Sequence, residues 1–185
     1  MNIRNLVTHD PPLPICRSGM ETMSLDLHAL IFPGLFLLLC ALCGALALID
    51  LRHGIIPDAL NLAIAALGLA SAIAADGGVG GVEAIGEALA AGGICWLLRR
   101  LYFTWRKIHG LGLGDVKFVA AATMWVGLSG TPTLILIAAL AALVAAGGLQ
   151  IAGHRLTRQT SLPFGPFLAL GLLATVALQQ WVGII

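Results

Sequence analysis

Six apolar stretches, at about residues 29–49, 59–75, 82–101, 115–129, 132–152 and 165–184, take up most of this chain and leave only short polar breaks between them. A helix that crosses a bilayer needs about 20 apolar residues, fewer where its ends are polar or neighbours shelter it. The pattern therefore predicts an all-α fold, a polytopic membrane protein of about six transmembrane helices. Composition agrees: 59% of residues are hydrophobic, 10% are charged and the mean hydropathy is +0.97, outside the ordinary range of globular proteins. Residues 1–28, which include HDPPLPICRSGMETMSLD, read as a polar N-terminal tail without the basic start and cleavage site of a signal peptide. Residues 29–185 then form a single membrane domain.

The breaks carry their own signals. Asp58 follows Pro57 and is placed to cap the second segment, and Asp76-Gly-Gly-Val-Gly-Gly reads as a turn. Ser129-Gly-Thr-Pro132 sets Thr131 as an N-cap with Pro132 at the first helical position. Small residues such as Ala138, Ala142, Ala145 and Gly148 recur where helix backbones are expected to approach closely in lipid.

Positive charge sets sidedness, because short cytoplasmic loops retain Lys and Arg. Arg52 lies after the first segment, Arg99, Arg100, Arg106, Lys107 and Lys117 lie around the third break, and Arg155 and Arg158 lie in the fifth. These breaks are expected in the cytoplasm, with both termini outside. A formal charge of +1 leaves no basic face for nucleic acid.

That sidedness puts two acids at one membrane face. Asp50 closes the first segment and Asp115 opens the fourth, within the stretch GLGLGDVK, Gly110 to Lys117. An ionisable group at the edge of hydrocarbon is costly and favours a functional or paired role, although a carboxylate at a helix start is also a routine cap. Like charges held close together cannot both ionise cheaply, so such a pair shares a proton. The ionised member can then take a proton from water while the protonated one polarises a carbonyl. Which aspartate holds the proton stays open. Gly112 and Gly114 remove side chains around Leu113 and leave room for a peptide backbone.

Nothing else in the chain offers rival chemistry of comparable weight. His53, His109 and His154 are scattered singly at segment edges, and Cys40-x-x-Cys43 lies inside an apolar run with no second pair. Cys16, Cys40, Cys43 and Cys95 suggest no disulfide framework. No metal and no cofactor is expected.

Three stretches, taken in order, resemble a known family. Asp50-Leu-Arg-His-Gly-Ile-Ile-Pro57-Asp58 is similar to the first catalytic motif of the type IV prepilin leader peptidases. Gly112-Leu-Gly114-Asp115-Val-Lys117 resembles their second, the G-x-G-D signature shared with intramembrane aspartyl proteases of the presenilin kind. Leu162-Pro-Phe-Gly-Pro-Phe-Leu-Ala-Leu-Gly171 looks like the Pro-Phe-Gly-Pro run that opens the last helix of bacterial members.

The resemblance implies that Asp50 and Asp115 are the catalytic dyad of an inner-membrane aspartyl endopeptidase. It would cut the basic leader of prepilin or pseudopilin substrates after a glycine, at the cytoplasmic face, with the substrate's apolar helix docking laterally between segments. Asp58 and Lys117 match positions that accompany the dyad. Asp58 reads as a cap or a supporting acid, and Lys117 as an interfacial charge that steadies a carboxylate. Pro163 to Pro166 shape a loop that could line the site. The long bacterial form carries two C-x-x-C pairs in a cytoplasmic loop, associated with N-methylation. Cys40-x-x-Cys43 falls within a membrane segment instead, so a short, protease-only member is expected. Two other classes remain: a proton- or ion-coupled transporter, opposed by acids at one face and no visible inverted repeat, and a catalytically silent pilus or secretion assembly protein of the same fold.

Overall fold

A computed structural model describes residues 18–106, 112–151 and 163–182. The expected tail up to residue 17, with Cys16, and Lys107, His109, His154, Arg155 and Arg158 in the third and fifth breaks lie outside the described residues. Four helices follow one another: α1, Ser18–His53; α2, Asp58–Arg106; α3, Leu113–Ile151; and α4, Gly165–Val182. The chain is all-α, as its hydropathy predicts. α1 begins ahead of the first apolar run, because METMSLDLHAL contains neither Gly nor Pro to stop a helix from extending into it.

Two of the four helices are broken. In α2 the backbone leaves helical angles at Asp76 and Gly77, the latter at a φ of +66°, which glycine tolerates without a Cβ clash. Beyond the break the chain turns back on itself. A Cβ built on Gly81 would lie 2.8 Å from Ile73 Cγ1 and 3.6 Å from Leu69 Cδ1, whereas twelve residues of straight helix span about 18 Å. α3 breaks at Gly127, φ +71°, and doubles back in the same way, bringing the hydroxyls of Thr123 and Thr131 to 3.0 Å. The two breaks divide each of α2 and α3 into two arms.

The positions of the breaks differ from the sequence reading in instructive ways. In α2 the turn is confined to Asp76 and Gly77, and the later glycines of that run are helical. Small residues there serve the close packing of two arms. In α3 the break falls at Gly127, so Thr131 and Pro132 lie inside the second arm. Thr131 caps nothing; its hydroxyl donates to Gly127 O at 2.9 Å. The backbone groups freed at the break are met from other helices. Leu128 N–H donates to Glu87 Oε2 at 3.0 Å, and Gln179 Nε2 donates to Val126 O at 2.9 Å. A broken helix in lipid requires such partners.

The core joins all four helices: Leu39, Cys43 and Leu46 of α1, Ile64 of α2, Phe118 and Leu134 of α3, and Leu168 and Leu172 of α4. Outside it the surface is apolar. Leu37, Leu62, Leu89 and Leu143 are between 69% and 72% exposed, an arrangement that lipid tolerates and water does not. Pro33–His53, Asp58–Trp105 and Leu113–Ile151 are long and apolar enough to cross a membrane, and Gly165–Trp181 is a shorter apolar helix. The second of these, at 48 residues, is about twice the length that one crossing uses.

Candidate active site

The buried stripe of α1 explains where Asp50 points. Leu39, Cys43 and Leu46 recur at helical spacing, each at most 1% exposed, and Asp50, 5% exposed, is the next position on that stripe. α1 ends just beyond it, with Gly54 N–H donating to Asp50 O at 2.8 Å.

A carboxylate buried this deeply requires a donor. It comes from the far end of the sequence, where Gly165 N–H donates to Asp50 Oδ2 at 2.9 Å. The Pro163-Phe-Gly-Pro166 run accounts for this geometry. Phe164 O accepts the N–H groups of Phe167 and Leu168 at 3.1 Å, which makes Phe164 the N-cap of α4. Of the first-turn donors that a helix cannot satisfy internally, Gly165 N–H goes to Asp50 and Pro166 has none. Residue 165 must also lack a side chain: a Cβ there would lie 2.6 Å from Asp50 Oδ2 and 2.9 Å from its Cγ. Gly165, which abuts Asp50, is a residue that the motif did not single out. Its signal was a glycine between two prolines at the mouth of an apolar segment.

Asp115 stands in the first turn of α3. Gly112 O accepts Val116 N–H at 3.4 Å, so Gly112 is the N-cap and Asp115 is the third helical residue, whose carboxylate bonds back to the Gly112 backbone. The same carboxylate also interacts electrostatically with Asp50. The capping reading of Asp115 is thus realised. Gly114 has a more local use: a Cβ there would lie 3.1 Å from Ile56 Cβ, so its bareness lets α3 start against the α1–α2 connection.

Asp58 and Lys117 form an ion pair, with Lys117 Nζ at 2.7 and 2.8 Å from the two carboxylate oxygens. Pro57 O accepts Asn61 N–H at 3.3 Å and so takes the N-cap position. Asp58 serves as the first-turn acid that holds Lys117. The pair is exposed, with side chains 51% and 72% accessible for Lys117 and Asp58, and ties the starts of α2 and α3 together beside Asp115. Among the described residues, no three His, Cys, Asp or Glu side chains gather as a metal site.

A deeply buried aspartate held by the start of a distant helix, in a bundle whose surface is apolar, defines the class: an all-α membrane protein. A model of the type IV leader peptidase family matches residues 37–147. A prepilin leader peptidase/N-methyltransferase of Burkholderia pseudomallei is 36% identical over 143 residues, covering 75% of this chain and 44% of that protein. The protein of the same description from Escherichia coli is 34% identical over 180 residues, covering 94% of this chain and 76% of that one. Its counterpart from Dickeya chrysanthemi is 40% identical over 144 residues, with coverages of 74% and 49%. The chain spans about half the length of the Burkholderia and Dickeya relatives. No solved structure matches. The chain belongs to the type IV leader peptidase family.

Proposed function

We propose that this protein is a multi-pass inner-membrane aspartyl endopeptidase that removes the leader from prepilin or pseudopilin substrates, with Asp50 and Asp115 as its catalytic pair. Six segments cross the membrane, and the site faces the cytoplasm, where a basic leader meets an acidic end of the bundle. The observation that carries this reading is the environment of Asp50. It is buried on the core face of α1 and held by the Gly165 N–H that opens α4.

In the reaction, the ionised carboxylate of the pair takes a proton from a water molecule, whose oxygen bonds to the scissile carbonyl carbon. The protonated carboxyl donates to the carbonyl oxygen as its charge grows. Collapse of the tetrahedral intermediate breaks the C–N bond, and the departing nitrogen takes a proton from the pair. Gly165 N–H keeps Asp50 in position and the start of α3 holds Asp115, so each acid is oriented before the substrate arrives. Lys117 supports the site through Asp58, by fixing the two helix starts beside it.

The N-methyltransferase activity in the relatives' names is left out of the proposal. Cys40 and Cys43 lie within α1, with Cys43 1% exposed, and present no cysteine pair in a loop. The direct test is co-expression with a prepilin and separate Asp50→Asn and Asp115→Asn substitutions. Loss of leader removal in each is expected; continued cleavage by both variants would end the reading.

A further inference from the structure

Beside the ion pair runs a groove of about 460 Å³ between the two arms of α2 and the first arm of α3. Leu62, Ala65, Ile85, Leu89 and Ala121 make its walls apolar, and Asp58 and Lys117 stand at one end. Asn61 lines the same groove. It is 5% exposed, and neither its amide nitrogen nor its amide oxygen has a hydrogen-bond partner. Buried amides are normally satisfied, so an orphaned donor and an orphaned acceptor on one side chain call for an explanation.

The chemistry narrows what could answer them. A lipid chain in the groove brings no donor or acceptor. An intact membrane helix has spent its backbone groups on itself. A polypeptide opened for cleavage differs from both, because the segment around the scissile bond must leave the helix and its N–H and C=O groups come free. In a water-poor groove those groups need partners, and a primary amide presents a donor beside an acceptor, the complement of a peptide group. The groove also adjoins the candidate site: Lys117 follows Asp115 by two residues on α3, and Asn61 lies about 4.5 Å along the helix axis from Asp58.

We propose that Asn61 is a substrate-backbone clamp: its carboxamide turns into the groove and pairs with one peptide group flanking the scissile bond, while the apolar walls seat the neighbouring side chains. This rests on the leader peptidase reading, and its test separates the two. The full chain in liposomes is assayed with a prepilin, with Asn61→Leu, and with prepilins in which one flanking amide at a time is replaced by an ester. Leucine keeps the branched four-atom shape and removes both orphaned groups, so the melting midpoint should hold or rise. The expected result is a fall in kcat/KM of about tenfold or more for Asn61→Leu. One ester position should weaken cleavage by the wild type and leave Asn61→Leu indifferent. In parallel, a photo-crosslinker at Leu89 should capture the prepilin. Wild-type kinetics in Asn61→Leu, an equal ester penalty in both proteins, or adducts at Leu89 with lipid alone would overturn the clamp and leave the peptidase standing. If the wild type leaves the prepilin uncut, the peptidase reading itself fails.

Discussion

The two ends of the bundle both use carboxylates to meet backbone N–H groups, yet they differ in what surrounds those acids. At one end, Asp50 accepts Gly165 N–H, Asp115 bonds back to Gly112, and the two acids interact with each other. At the other, Glu87 accepts Leu128 N–H where α3 breaks. Asp76, Glu83 and Glu87 line a cavity of about 1050 Å³ there, more than twice the volume of the groove beside the ion pair. The larger cavity therefore lies away from Asp50 and Asp115. A carboxylate that accepts the N–H groups of a broken helix can be architecture, as Glu87 is at the α3 break. A second acid within electrostatic reach, in a desolvated setting, changes its chemistry.

Substitutions at the two ends test that contrast. The largest effect is expected at the pair: Asp50→Asn or Asp115→Asn should each lower leader cleavage by about 10²–10⁴-fold or more, measured on purified protein with a prepilin. Glu87→Gln, assayed alongside, should cleave at close to the wild-type rate. A loss at Glu87 as deep as that at Asp50 would break the comparison.

Gly165→Ala comes next. The added methyl occupies the space of the Asp50 carboxylate, so kcat should fall by about 10²-fold with KM little changed, an expectation set by the cost of misplacing a reacting group by about 1 Å. Unchanged kcat would remove Gly165 from the site.

At the far end, Glu87→Ala strips the α3 break of one partner. It should lower thermal stability by about 1 kcal/mol while cleavage at low temperature persists. Smallest of all, Lys117→Met should cost about 0 to 1 kcal/mol in unfolding free energy, because the ion pair is solvent-exposed. A larger loss would give Lys117 a role beyond joining two helix starts.

Much of this is legible in the sequence. Hydropathy gave six segments in order, and the Asp50, Asp115 and Pro163–Pro166 motifs pointed to one end of the chain's folded form. The breaks were read less well. Ser129 to Pro132 has the composition of a turn, but the chain turns at Gly127, where Glu87 and Gln179 satisfy the freed groups. Those partners come from elsewhere in the chain, and local composition carries no trace of them. Lys117 was opaque for the same reason: its partner, Asp58, lies 59 positions away.

By itself, the sequence determined that the chain is helical and apolar enough for a bilayer, because hydropathy and segment length are properties of contiguous residues. It also determined which acids could form a pair. The tertiary structure decided what holds them. A glycine N–H at the start of the last helix reaches Asp50 across 115 positions of chain, and an asparagine one turn into α2 is left with an unsatisfied amide. Hydrogen bonding and desolvation depend on which segments pack together, and packing brings together residues that the linear sequence keeps far apart.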